Sequence, residues 1–177
     1  MSFDPVGTIL VRRVLIIGCS GAGKSTFAAK LARETNLPLI HLDREFWHAG
    51  WVETPRSEWR ERVTELVAGE SWIMEGNYGS SLDLRLPRAI TVIWFDYPRH
   101  RCLWRVLKRV ARTYGQVRAD MAAGCPEKID FGFLRWTWSF NRRERPALVR
   151  WLASSGSHLT PVIFQRDADV DLFLSKL

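Results

Sequence analysis

Gly18-Cys19-Ser20-Gly21-Ala22-Gly23-Lys24-Ser25 is the stretch that decides how this chain is read. It satisfies the pattern GxxxxGK[ST] without a mismatch, and its flanks agree with it. Val14-Leu15-Ile16-Ile17 is a short, mostly β-branched apolar run that stops at Gly18, as a buried parallel strand does. Behind the glycines, Lys24 to Thr35 carries Phe27, Ala28, Leu31 and Ala32 at helical spacing. A strand, a glycine loop and a helix in that order bend the backbone so that successive N–H groups point inward at phosphate oxygens. The helix adds the positive end of its dipole beneath the same phosphates. In such a loop Lys24 reaches the β- and γ-phosphates and the Ser25 hydroxyl ligates Mg²⁺. Gly18, Ser20, Gly21, Ala22, Gly23 and Thr26 complete the set expected to hold a nucleoside triphosphate.

Working outward, the rest of the chain alternates between strands and helices. Leu39-Ile40-His41-Leu42, Trp72-Ile73-Met74, Ile90 to Phe95 and Pro161 to Phe164 read as strands. Between them, Thr54 as N-cap and Pro55 as first residue predict a helix to Ala68, with Trp59, Val63, Leu66 and Val67 inward. Pro98 opens a helix through Arg112, Tyr114 to Glu127 reads as a mobile connection, and a basic helix starts near Asp130 with a break at Pro146. Val170 to Leu177 closes the chain as a helix. The expected fold is therefore α/β: a parallel sheet covered by helices on both faces, in a P-loop NTPase arrangement with a small helical arginine-rich lid.

Length and composition agree. The 177 residues suit a single domain spanning 1–177, with a lid-like insertion at about 113–145. Hydrophobic residues are 46% and charged residues 25%, which excludes disordered, collagenous and coiled-coil classes. Cys19, Cys102 and Cys125 are an odd number without a CxxC, so neither a disulfide framework nor a zinc knuckle is suggested. With no apolar stretch of membrane-spanning length and no leader pattern, a cytoplasmic protein is expected. The net charge of +7 is uneven: residues 98–150 hold 13 basic and 4 acidic side chains, a surplus placed to meet an anion.

The type of nucleotide protein follows from the residues after each strand. Glu127-Lys128-Ile129-Asp130 lacks the asparagine of a guanine-reading NKxD, and a motor ATPase needs more chain for its lid. A small kinase fits better, because phosphoryl transfer needs a held Mg²⁺, an oriented acceptor and cations around the moving phosphate. Asp43, Glu75 and Asp96 stand at strand ends, where the ligand crevice of a parallel sheet lies. Asp43 is the candidate for orienting or deprotonating an acceptor hydroxyl, and Glu75 for holding a magnesium-bound water. Asp96 also suits a cap on the helix that Pro98 starts. Arg101, Arg105, Lys108, Arg109 and Arg112 form one helical face; Arg142 and Arg143 follow. Between them these side chains are placed to clamp the triphosphate and to offset charge on the moving phosphoryl. Trp47 and Trp51, with Phe46 and the Gly50 turn, offer a flat aromatic wall to an acceptor.

These segments look like the adenylate-kinase-like P-loop kinases. More narrowly, three of them resemble a bacterial group that goes by the name DNA topology modulation proteins. They are His41-Leu42-Asp43 with Phe46-Trp47 and Gly50-Trp51; Trp72 to Tyr78 with Leu82-Asp83-Leu84-Arg85; and Cys102 to Arg105 through Gly124-Cys125-Pro126-Glu127. The resemblance implies ATP and Mg²⁺ at Gly18 to Thr26. It also implies an acceptor or metal contact at Asp43, Arg105 and Arg109 as the paired arginines before the lid, and Arg142 and Arg143 as lid arginines. Asn77 and Arg85 join Asp43, Trp47 and Trp51 in the acceptor set. Glu75 stands where the superfamily commonly has Asp, and Asn77-Tyr78 stands where adenylate kinases have Phe-Pro-Arg, so an acceptor other than AMP is implied. The expected activity is transfer of the ATP γ-phosphoryl to a nucleotide, nucleoside or small hydroxylated metabolite. The competing reading is a nucleic-acid-associated ATPase or regulator affecting DNA topology, for which the basic segment with Trp136 and Trp138 speaks. No membrane partner is expected.

Overall fold

The computed structural model describes residues 12–154 and 158–177. In chain order its elements are β1 (Arg13–Gly18), α1 (Lys24–Thr35), β2 (Leu39–His41), α2 (Leu42–Phe46), β3 (Trp47–His48), β4 (Val52–Glu53), α3 (Arg56–Val67) and β5 (Trp72–Glu75). A 3₁₀ turn (Gly79–Ser81) leads into α4 (Leu82–Arg85), β6 (Thr91–Phe95), α5 (Arg99–Thr113), α6 (Phe131–Arg143), α7 (Arg145–Ser154), β7 (Thr160–Phe164) and α8 (Asp167–Leu174).

Five strands form one parallel sheet in the order β2-β5-β1-β6-β7. β1 sits in the middle because it is apolar on both faces: Val14, Leu15, Ile16 and Ile17 are all buried. The chain leaves β1, runs to the far edge at β2, returns at β5, and then crosses to the other side of β1 for β6 and β7. The sheet order thus switches direction beside β1, and a crevice forms where crossovers on its two sides diverge. The P-loop leaves the carboxyl end of that strand, at the switch point.

Helices flank the sheet on both faces, as the patterning predicts. Phe27 of α1 meets Phe95, Phe164 and Phe173 edge-on at 5.4–5.8 Å between ring centroids, tying α1 to β6, β7 and α8. Trp59 and Val63 of α3 are buried, on the stripe that their spacing indicates. Local details differ from expectation. Thr54 does not cap α3; its hydroxyl donates to the Phe46 carbonyl at 2.5 Å, and Pro55 holds the N-cap position instead. The closing helix begins at Asp167 because Asp169 accepts from the backbone N–H groups of Gln165 and Arg166. β3 and β4 form a small antiparallel hairpin that no alternation in the sequence announces, since each strand is two residues long. Of the 113–145 segment, residues 114–130 are a loop, while 131–143 form α6, which packs on α5 and buries Phe140. Asp130 caps α6, accepting from the Phe133 N–H at 2.9 Å.

Candidate active site

A cavity of about 1320 Å³ opens at the carboxyl ends of the strands. Its floor is the P-loop, from Ser20 to Thr26. Gly18 and Gly21 are required there by their surroundings as well as by their backbone. Gly21 has φ +78° and a Cβ on it would lie 2.4 Å from the Cys102 carbonyl oxygen of α5; at Gly18, φ +141°, a Cβ would lie 2.6 Å from the Phe95 carbonyl oxygen. Glycine therefore lets the loop press onto β6 and α5 while Ser20 to Thr26 line the cavity. Gly18 itself is held from the side by Asn77, whose Oδ1 accepts from the Gly18 N–H at 2.9 Å and whose Nδ2 donates to the Gly18 carbonyl at 2.7 Å. The Lys24 ammonium donates to the Cys19 carbonyl at 3.1 Å, folded over the loop it belongs to.

Three polar groups meet beside the start of α1. The Ser25 hydroxyl donates to Glu75 Oε1 at 3.0 Å, and His41 Nδ1 lies 2.9 Å from the same oxygen. Glu75 is 3% exposed, so these contacts stand in for the water it has lost. The next acid, Asp43, sits in α2 two residues beyond the end of β2 and accepts from the Tyr78 phenol at 2.5 Å. Burial pushes the Asp43 carboxyl above the ordinary carboxylate range, and the charge of Glu75 pushes the same way; the Tyr78 hydrogen bond, Lys24 and Arg118 oppose them without winning. A carboxylate so placed is a stronger base than a solvated one. Serine, glutamate and aspartate oxygens are hard donors of the kind Mg²⁺ takes, with phosphate oxygens and water completing its shell. The residues present therefore fit that ion, although no standing cluster of three metal-binding side chains occurs among the described residues.

The arginines divide into engaged and free. Arg105 reaches the P-loop, donating to the Ala22 carbonyl at 3.3 Å, and is held by Asp167 of α8 at 2.8 Å. Arg101 pairs with the same Asp167, and the Tyr97 phenol donates to it at 3.0 Å. Arg109 pairs with Glu127 at 3.1 Å, and Arg118 lies 3.3 Å from Glu127 and 3.3 Å from Asp120. Arg105, Arg109 and Arg118 all line the cavity. Arg142 and Arg143 do not: they are exposed at the end of α6. Arg85 does not line it either. It is completely buried beneath the loop after β5 and donates to the carbonyls of Gly76, Asn77, Tyr78 and Ser81. Its burial disfavours the charged guanidinium, so those carbonyls are what keep it there. Asn77 lines the cavity, yet both ends of its amide are committed to Gly18. Asp96 ends β6 in a two-pronged pair with Arg145, 3.0 Å at its shortest, away from the cavity lining.

The aromatic wall is real as a packing unit. Trp47 and Trp51 lie edge-on at 5.5 Å on the β3–β4 hairpin and face the loop 114–130 across the cavity mouth. Met121, Ala122 and Cys125 of that loop pack against them. The Gly50 N–H donates to the Gly124 carbonyl at 2.8 Å, the Trp51 indole N–H to the Pro126 carbonyl at 3.1 Å, and the Cys125 thiol to the His48 carbonyl at 3.1 Å. The segment read as a mobile connection is thus fastened to the hairpin.

Sequence reasoning missed five of these residues: Tyr78, Arg118, Asp120, Glu127 and Asp167. Two were within reach of it. Asp120 and Glu127 are the two acids between Arg99 and Lys128, and an acid kept inside so basic a stretch is a candidate partner for its arginines.

No family model matches the chain, and no curated protein matches it. Solved structures do. A shikimate kinase from Bacteroides thetaiotaomicron superposes with a TM-score of 0.54 at 16% identity, covering 93% of this chain and 95% of the other. A shikimate kinase from Acinetobacter baumannii in complex with shikimate superposes with a TM-score of 0.56 at 20% identity, covering 95% and 91%. With the strand order, the glycine loop and its helix already in place, these matches end to end show that the chain has the P-loop kinase fold.

Proposed function

We propose that this protein is an ATP- and Mg²⁺-dependent small-molecule kinase that transfers the γ-phosphoryl group to a hydroxyl of a nucleotide, nucleoside or small hydroxylated metabolite. The observation that carries the reading is the Asp43 carboxylate, raised in basicity and held by Tyr78 in the same cavity as Lys24, Ser25 and Glu75. A buried carboxyl of raised basicity in a cleft beside a phosphate loop is the kind of group that proton transfer from an acceptor hydroxyl calls for.

In this reading the loop amides and Lys24 hold the β- and γ-phosphates, Lys24 leaving the Cys19 carbonyl to do so. Ser25 and Glu75 would hold Mg²⁺, which when bound would supply charge neutralisation on the phosphates. Asp43 orients the acceptor hydroxyl and takes its proton as the new P–O bond forms and ADP departs. Arg105, Arg109 and Arg118 offset the charge on the moving phosphoryl, while Trp47 and Trp51 offer the acceptor an aromatic face. Shikimate, which the Acinetobacter neighbour binds, belongs in the acceptor panel. The finer likeness to the DNA topology modulation group belongs to the same proposal, since each of its three segments contributes residues to the cavity lining. Direct nucleic-acid binding is the weaker reading, because the arginine face of α5 is largely spent inside the protein: Arg101 and Arg105 on Asp167, and Arg109 on Glu127.

ADP release from ATP–Mg²⁺ with pooled acceptors, beside a parallel series with duplex DNA, tests this. Stimulation by a small-molecule pool that Lys24→Ala abolishes is the expected result. Stimulation by DNA alone overturns the proposal.

A further inference from the structure

Arg85 is fully buried and lies outside the cavity lining, yet residues it holds reach into the site. A guanidinium in such a place is costly unless its donors are used. Among the described residues its hydrogen bonds all go to main-chain carbonyls. Nη1 donates to Gly76 at 3.0 Å, Nη2 to Asn77 and, at 2.8 Å, to Tyr78, and Nε to Ser81 at 3.4 Å. Three of these carbonyls belong to consecutive residues, so one side chain grips a whole bend of backbone. The bend needs a grip. Gly76 has φ +136° and Tyr78 φ +35°, so the chain enters the left-handed region twice in three residues. Glycine does so freely, whereas a tyrosine there is strained and stays only where its surroundings over-determine it. Gly76 also presses on α2, since a Cβ on it would lie 2.9 Å from the Cβ of Leu42, the residue before Asp43.

Asn77 and Tyr78, gripped in this way, serve opposite halves of the site. Asn77 holds the Gly18 N–H at 2.9 Å and the Gly18 carbonyl at 2.7 Å, where β1 becomes the phosphate loop. Tyr78 holds Asp43 at 2.5 Å, with its ring kept between Phe46 and Trp59. Two neighbouring side chains serve two distant partners only while the backbone between them keeps one conformation. We infer that Arg85 is a positioning residue for both substrates: its fork fixes residues 76–78 so that Asn77 aligns the phosphate loop and Tyr78 aligns Asp43. The acceptor half rests on the kinase reading above, and the nucleotide half needs only the phosphate loop. Lysine cannot take over this work, because its ammonium carries three donors at one point and has no planar fork. The consequence is that grip on the nucleotide and placement of the base share one support, and loosening residues 76–78 loosens both.

The test uses the full chain with Arg85→Lys, alone and combined with Asn77→Ala and Tyr78→Phe. Arg85→Gln, which removes the buried charge and keeps an amide donor, takes its place where the lysine form does not fold. Leu86→Ala, at the buried next position, measures the effect of destabilisation alone. Affinity for a non-hydrolysable ATP analogue is read by calorimetry, and NMR reads amide exchange at Gly18 and the downfield phenol proton of Tyr78. Arg85→Lys is expected to weaken analogue binding by roughly fivefold, to speed exchange at Gly18 and to lose the phenol resonance that Tyr78→Phe deletes. Asn77→Ala is expected to weaken binding to a similar degree, and adding Arg85→Lys to it to cost no more than about a further twofold, because both act through one contact. Acceptor-stimulated ADP release by Arg85→Lys is expected to match that of the Asn77→Ala, Tyr78→Phe double variant. Leu86→Ala is expected to lower stability and leave analogue affinity within about twofold. Multiplying losses in the Arg85→Lys, Asn77→Ala pair, an unmoved phenol resonance, or an equal loss of affinity in Leu86→Ala each overturns the inference. Failure of both Arg85 variants to fold overturns it as well, since the residue is then a core support and no more. These couplings without acceptor-stimulated release overturn the kinase reading and leave Arg85 its role toward the nucleotide.

Discussion

Replacing Tyr78 by Phe removes one oxygen and asks a quantitative question of the base. The phenol donates to Asp43 Oδ1 at 2.5 Å and stabilises the ionised carboxylate, while burial and Glu75 oppose ionisation. The ring stays packed between Phe46 and Trp59, whose centroids lie 4.7 and 5.0 Å from it, so the substitution is expected to leave the wall intact. A hydrogen bond to a charged group contributes about 1.5–3 kcal/mol. At about 1.36 kcal/mol per pH unit, its loss moves the Asp43 titration upward by about one to two units. Two assays read this: carboxyl ¹³C NMR of the aspartates, which needs no acceptor, and the acid limb of acceptor-stimulated ADP release against pH. Both are expected to move upward together, with little loss of rate on the alkaline plateau. Asp43→Asn is the control, expected to lower turnover by about 10²–10⁴-fold. A Tyr78→Phe protein whose Asp43 titration is unmoved, or moves downward, refutes the reasoning. A titration that moves while the rate limb does not removes Asp43 from the role of base.

Asp43→Asn also has a stability signature. A carboxyl whose folded titration is raised contributes stability below its ordinary value near 3.8, and that contribution is lost as pH rises through the raised value. The asparagine variant is therefore expected to unfold at higher urea than the parent at pH 7, with the gap narrowing toward pH 4; an equal gap at both pH values contradicts this. Gly21→Ala drives a Cβ to 2.4 Å from the Cys102 carbonyl at φ +78°, so a loss of about 1–2 kcal/mol of stability and of analogue binding is expected by thermal shift and calorimetry. Arg85→Ala strips donors from four carbonyls in a fully buried place and is expected to cost at least about 3 kcal/mol in chemical unfolding, whereas Arg142→Ala is expected to change stability by under about 0.5 kcal/mol.

Much of the fold was legible in the chain itself. The run Val14–Ile17 announced a central strand, and the glycines after it announced a loop that turns its amides inward. Both are local statements: β-branched residues favour extended backbone, and only glycine accepts φ +78° and +101° in a tight loop. The acids at the ends of β2 and β5 were legible for a related reason, since a parallel sheet brings the carboxyl ends of its strands to one side whatever their order in the chain. The arginines were legible as a face, and their separate fates were not. Arg85, Arg105 and Arg142 are chemically identical residues in a basic chain, and nothing within a few positions of each tells a buried clamp on carbonyls from a cavity wall or a solvated surface.

What the sequence determined, then, is what nearest neighbours along the chain determine: an α/β chain, a phosphate loop, and a crevice with Asp43 and Glu75 beside it. Only the tertiary structure decided who meets whom across it. Tyr78 reaches Asp43 over 35 positions, Asn77 holds Gly18 over 59, and Asp167 near the end of the chain holds Arg105 against the loop. Such pairs depend on how crossovers return to the sheet, and a charge or a phenol is placed by that return path and not by its own local preference.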